Sequence, residues 1–209
     1  MFCQLIYACV SAGIDIESYR ITIFSMLNII ERKCFSLLKP YIAEKDLISV
    51  IGKRTQIGPG PEKGEIGSLW ANHSDIMNSI PNRVDKLFFG ISIDFWHPDR
   101  KGENGEEGLR SYMICAEVSS LTHLPVNLES RVIPATRWVY VPIDYNDPDV
   151  KALAPDEFKN NIGYLTGCVF GWINNWIKES GYERQDFPDE LEIYGLDNGG
   201  QCTLAIAIR

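Results

Sequence analysis

Residues Asp186 to Arg209, DFPDELEIYGLDNGGQCTLAIAIR, decide how this chain is read. Glu190-Leu191-Glu192-Ile193-Tyr194 alternates with period two, which predicts a strand. Leu191 and Ile193 then share one face, and Glu190, Glu192 and Tyr194 share the other. Asp197-Asn198-Gly199-Gly200 supplies turn chemistry and Cys202 to Ile208 predicts a second strand, so the pair reads as a β-hairpin. The apolar face of the first strand belongs to a core. Its polar face needs either water or a partner suited to a carboxylate beside an aromatic ring, and that choice decides the function.

Upstream, Leu47 to Ile57 predicts a strand, and Gly58-Pro59-Gly60-Pro61 a loop. Ile66, Leu69, Trp70, His73, Ile76, Met77 and Ile80 recur every three or four residues, predicting one amphipathic helix stopped by Pro81-Asn82. Lys86 to Trp96 predicts a strand with Phe89, Ile91, Ile93 and Phe95 on one face and Phe88, Gly90, Ser92, Asp94 and Trp96 on the other. The polar stretch Asp99 to Arg110 reads as a solvated loop, and Ser111 to Val118 as the returning strand. Ser130 to Asp144 reads as one strand whose Pro134 and Pro142 mark bends or an edge position. A helix is expected from about Asn161 to Glu179, with Ile162, Leu165, Val169, Trp172 and Trp176 as its apolar stripe and Gly181 as its cap. Gly163, Gly167 and Gly171 each weaken that helix, so their spacing predicts close approach of its backbone to the sheet.

From residue 47 the order is therefore β-α-β-β, then β-α-β-β again. It implies an α+β fold: an antiparallel sheet with two helices on one face and, on the other, an open face that becomes a cleft if the sheet curves. Residues 1–46 fit this pattern poorly. Tyr19 to Phe24 reads as a strand and Cys34 to Ile42 as a short helix, and the segment is set apart as an amino-terminal extension preceding a domain at 47–209.

The bulk composition narrows the function. With 45% apolar and 23% charged residues over 209 positions, the chain can bury a proper core. A net charge of −8 argues against a phosphate-neutralising surface, and so against direct nucleic-acid binding. No apolar run reaches the roughly 18 residues of a membrane span. The amino terminus lacks a basic leader and is interrupted by Asp15, Glu17 and Arg20, so it makes a poor signal peptide. Six cysteines without CxxC or Cys/His spacing favour buried thiols in a reduced, cytoplasmic setting over zinc. No cofactor is called for, since the prolines of Gly58 to Pro61 remove the amide donors that a phosphate needs. No Ser/His/Asp or Cys/His set assembles from the spacing.

Six segments in this order, GEIGSLWANH (Gly64 to His73), SIPNRVDKLFFGISIDF (Ser79 to Phe95), YMICAEVSSLTHLP (Tyr112 to Pro125), SRVIPATRWVYVPI (Ser130 to Ile143), WINNWIKESGYE (Trp172 to Glu183) and LEIY (Leu191 to Tyr194), resemble the gyrase-inhibitor-like small-molecule-binding domain. The same domain is the effector-binding module of AraC-type and MerR-type multidrug regulators. The resemblance covers 47–209 and implies a duplicated βαββ fold with a pseudo-twofold axis, and a cleft for amphipathic, often cationic and aromatic, ligands. It implies that a glutamate of the penultimate strand meets the ligand's charge, and Glu192 is the position that matches. Three departures set this chain apart: the amino-terminal extension, a longer Asp99 to Arg110 loop, and the lack of a recognisable helix-turn-helix, which weighs against a regulator.

The expected function is a stand-alone protein that binds amphipathic cations, with no membrane partner and with a homodimer left open. A hydrolase of cyclopropane-bearing compounds, with Glu192 and Tyr194 or Tyr112 as an acid–base pair, and a gyrase-protecting protein are the alternatives. The expected ligand-binding residues are Glu192, Tyr194, Tyr112, Trp138, Tyr140, Phe88, Trp96 and Trp70. Glu190, on the face of Glu192, is the rival carboxylate, and Glu117 is a third.

Overall fold

A computed structural model describes residues 38–57, 65–93, 110–185, 190–195 and 202–209. The chain divides into two compact units, Met1–Lys39 and Pro40–Arg209, and every strand and helix described belongs to the second. In chain order these are β1 (Tyr41–Lys45), β2 (Ile48–Ile57), α1 (Glu65–Ala71), α2 (His73–Ser79), β3 (Phe88–Ile93), β4 (Arg110–Glu117), β5 (Glu129–Ile133), β6 (Thr136–Ile143), α3 (Pro148–Lys151), α4 (Ile162–Glu179), β7 (Glu190–Tyr194) and β8 (Cys202–Ile208). The strands form one antiparallel sheet in the order β1-β6-β8-β7-β3-β4-β2-β5.

The sheet curls into a half-barrel. β1 and β4 are five neighbours apart, about 24 Å in a flat sheet at about 4.8 Å per strand. Lys45 on β1 nevertheless reaches Glu117 on β4 at 3.3 Å. Side chains alternate between two buried faces. One carries Val50, Phe89, Ile91, Met113, Trp138, Leu191 and Ile193 in a single apolar cluster. The other carries Ile51, Tyr112, Ile114 and Ala116, packed against Leu69 of α1 and Met77 of α2. α4 lies against β8, and its Asn174 is joined through Arg184 to Glu190, on the same face.

Several expectations are revised. The face turned from the helices is not an open cleft, because its side chains are buried against one another. The helix expected from Ile66 to Ile80 is two, parted at Asn72, whose side chain turns back to donate to the Ser68 carbonyl at 2.8 Å. The single strand expected from Ser130 to Asp144 breaks at Pro134-Ala135, which lets β5 pair with β2 and β6 pair with β8 and β1. Pro142 is tolerated because β1 reaches only Tyr140 along β6, so its missing N–H leaves no neighbour unserved. Tyr41 and Ile42 are strand, not the end of a helix.

α4 follows its expected span, with Asn161 as N-cap accepting from the Tyr164 amide at 3.0 Å. Its glycine column does not approach the sheet. A Cβ at Gly167 or Gly171 would meet nothing within 4 Å, and contact runs instead through Leu165, Val169, Trp172, Ile173 and Ile177. Ile162, expected in the apolar stripe, is exposed, and Trp176 is half-buried against Tyr182. The strand expected at Tyr19 to Phe24, the loop at Gly58 to Pro61, all but the last residue of the loop Asp99 to Arg110, and the turn Asp197 to Gly200 lie outside the described residues.

Candidate functional site

β7 is flanked by β3 and β8, with Glu192 opposite Gly90 on one side and Leu204 on the other. This register buries both faces of the strand. Glu192 keeps only 7% of its surface and Glu190 only 2%. Arg184 donates to Glu190 at 2.8 Å and to Asn174 at 2.8 Å. Glu117 has Lys45. Glu192 has no cation beside it among the described residues. Its Oε2 accepts the Tyr194 hydroxyl at 2.5 Å. Burial raises its pKa above the usual glutamate value, and the hydroxyls of Tyr194 and Tyr112 oppose that rise.

Tyr112 stands opposite Ser92 on β3 and leans its phenol across Gly90. A Cβ at Gly90 would lie 2.1 Å from the Tyr112 hydroxyl oxygen and 3.3 Å from the Glu192 carboxyl carbon, so only glycine lets the two converge. The Tyr112 hydroxyl is buried with the Glu192 carboxylate and the Trp70 indole beside it, and makes a well-formed hydrogen bond with neither. Burial, then the charge of Glu192 beside it, holds its pKa well above that of a free tyrosine.

Over this floor stand half-buried rings. Phe88 and Tyr194, a cross-strand pair, stack at 5.3 Å, and Trp70 of α1 meets Tyr194 edge-on at 4.8 Å and Phe88 at 6.0 Å. His73 stacks on Phe88 at 5.9 Å, its Nδ1 donating to the Trp70 carbonyl at 2.8 Å. On the side of α4, the Tyr145 hydroxyl bonds Thr166 at 2.7 Å. The thiol of Cys202 is pushed up to about 12 by burial and then by Glu192.

Glu192, Tyr194, Tyr112, Phe88 and Trp70 are thus brought together on the helix-covered face. Trp138 and Tyr140 are not. Tyr140 pairs with Ala205, which pairs with Leu191, so both residues lie in the row facing away from Glu192. Tyr140 stacks instead on Tyr41 at 5.2 Å. Alternation along one strand shows which residues share its face; only register shows which faces join. Trp96 lies outside the described residues. His73, Tyr145 and Cys202 were not among the expected site residues. His73 could have been found, three residues after Trp70 on the same helical stripe. Cys202 and Tyr145 carry no such signal, because they enter through strand register and a loop.

A carboxylate without a cation beneath aromatic rings is poorly solvated, and a cation restores what burial removed. Rings placed over such a cation add cation–π attraction of about 0.5–2 kcal/mol. Among the described residues no three His, Cys, Asp or Glu side chains converge to hold a metal.

No protein-family model matches the chain, and no curated protein matches it. Solved structures do. SAV2435, solved bound to tetraphenylphosphonium, is similar over 82% of this chain and 94% of its own, at 10% identity and a TM-score of 0.57. EcmrR, solved in a complex with DNA, is similar over 98% of this chain and 76% of its own, at 14% identity and a TM-score of 0.51. At these identities the likeness is one of fold, and the chain has the fold of a protein solved with a bound lipophilic cation.

Proposed function

We propose that this chain is a binding protein for amphipathic, aromatic cations, of the gyrase-inhibitor-like effector-binding type, with Glu192 as the charge partner. One observation carries the reading: among the described residues Glu192 is buried without a cation beside it, while Glu190 and Glu117 each have one. Trp70, Phe88 and Tyr194 form the walls and Tyr112 the floor. The fold shared with SAV2435, solved with tetraphenylphosphonium, supports the class of ligand. The strand order supports a duplicated βαββ origin with one further strand ahead of each repeat (β1 and β5), because exchanging β1 with β5, β2 with β6, β3 with β7 and β4 with β8 merely reverses it. The free thiols of Cys115, Cys168 and Cys202 suit a reducing, cytoplasmic setting.

Titration of lipophilic cations, beginning with tetraphenylphosphonium, against tryptophan fluorescence tests this, since Trp70 touches Tyr194. Micromolar binding is expected, weakened about tenfold or more in Glu192→Gln, as befits loss of a charged partner. Glu190→Gln keeps that affinity but lowers thermal stability, because it removes the buried carboxylate that Arg184 meets at 2.8 Å. Wild-type protein that binds no cation at all would sink the proposal.

A further inference from the structure

The floor of the site offers more than charge. Glu192 accepts from Tyr194 through one oxygen, Oε2, and the Tyr112 hydroxyl beside the carboxyl is buried without a well-formed hydrogen bond. Both groups converge above Gly90, where no side chain separates them. The Tyr112 oxygen can accept an N–H while its own proton turns toward the carboxylate. A head group that donates at this point would reach both acceptors at about 2.7–2.9 Å. A quaternary nitrogen or phosphonium has no proton to offer, and its alkyl or aryl shell keeps the charge farther from the carboxylate.

We infer that the site selects cations bearing N–H donors, primary or secondary ammonium or amidinium groups on an aromatic body, over quaternary ions of similar bulk. This rests on the proposed cation-binding role of Glu192 and refines it. Net charge does not discriminate within such a series, because every member carries one positive charge, and the bulkier shell of the quaternary ion only adds to its disadvantage by holding that charge farther off. The hydrogen bonds do. A bond made to a charged group is worth about tenfold or more in affinity, and one left unmade at a buried polar atom is not recovered from water.

The test is calorimetric titration, at about pH 7.5, of 1-naphthylmethylamine and its N-methyl, N,N-dimethyl and N,N,N-trimethyl derivatives. All four are cations at that pH and share one ring system. Affinity is expected to fall along the series, with the primary amine at least about tenfold tighter than the trimethyl ion. In Tyr112→Phe the primary amine weakens, the trimethyl ion changes little, and the ratio shrinks. A trimethyl ion that binds wild type as tightly as the primary amine overturns the inference, as does a ratio unchanged in Tyr112→Phe. Binding of tetraphenylphosphonium without binding of any naphthylmethylamine also overturns it and leaves the cation-binding role standing. If neither kind of ion binds, both fall together.

Discussion

Glu192 and Glu190 are two residues apart on one face of one strand, and their surroundings give them opposite tasks. Arg184 neutralises Glu190, so its charge is structural. Glu192 has tyrosine hydroxyls and, among the described residues, no cation, and burial raises its pKa. An acid whose pKa is raised on folding favours the folded state most below its unfolded value, about 4.3, and that advantage is lost as pH climbs through the folded value. Cation binding runs the other way, because the ligand prefers the ionised carboxylate. Affinity should therefore rise with pH through the folded pKa of Glu192 and then level off. Below that pKa, binding should release a proton, seen as a calorimetric heat that depends on the buffer's ionisation enthalpy. In Glu192→Gln both dependences flatten; a wild-type affinity that stays indifferent to pH above the ordinary glutamate range contradicts the assignment. The alternation of ELEIY placed the two glutamates on one face but could not choose between them. The choice lies in Arg184, which is placed by its bridge to Ile208 of β8 and for which period-two spacing carries no signal.

Among the elements, those with a strong period were legible and those governed by a partner were not. The spans of β2, β4 and α4 follow from apolar spacing. The alternation of β7 marks one apolar face and leaves the other open between water and a partner; both are buried, because helices cover the polar side as well. The glycines of α4 show the same limit. Their spacing suggested close packing, yet Gly167 is exposed with open space where a Cβ would stand. Gly181 is different: its φ of 77° follows the helix, its amide donates to Lys178 and the Tyr182 amide donates to Ile177, closing a Schellman motif. The two positions should therefore answer alanine with opposite signs. Gly181→Ala is expected to cost on the order of 1 kcal/mol, since an L side chain strains the left-handed region. Gly167→Ala is expected to gain up to about 1 kcal/mol from helix propensity. Urea denaturation of both variants checks the pair; a gain at Gly181 or a loss at Gly167 would show that the helix end or its outer face is wrongly placed.

Across the whole molecule, the curled sheet separates stability from recognition by face. The row of Trp138, Phe89, Leu191 and Ile193 packs against itself, while the row of Glu192, Gly90 and Tyr112 lies beneath the helices with the half-buried rings. Composition and element order pointed to a mixed fold with an antiparallel sheet. They could not show that the face turned from the helices is filled, because that depends on curvature, and here the curvature is visible in Lys45 reaching Glu117 across five strand spacings. Trp138 is the residue that separates the two roles most sharply, being 1% exposed, aromatic and expected in the ligand site from its strand pattern. If it belongs to the packed face, Trp138→Phe leaves a void and should lower stability by roughly 1–3 kcal/mol, the usual cost of an imperfectly filled core. Its effect on cation affinity, measured by calorimetry below the variant's unfolding transition, should be negligible, since no atom of the site is removed. A variant that keeps its stability but loses affinity would mean that the cation enters the curl of the sheet instead, and that the carboxylate beneath the helices is not its partner.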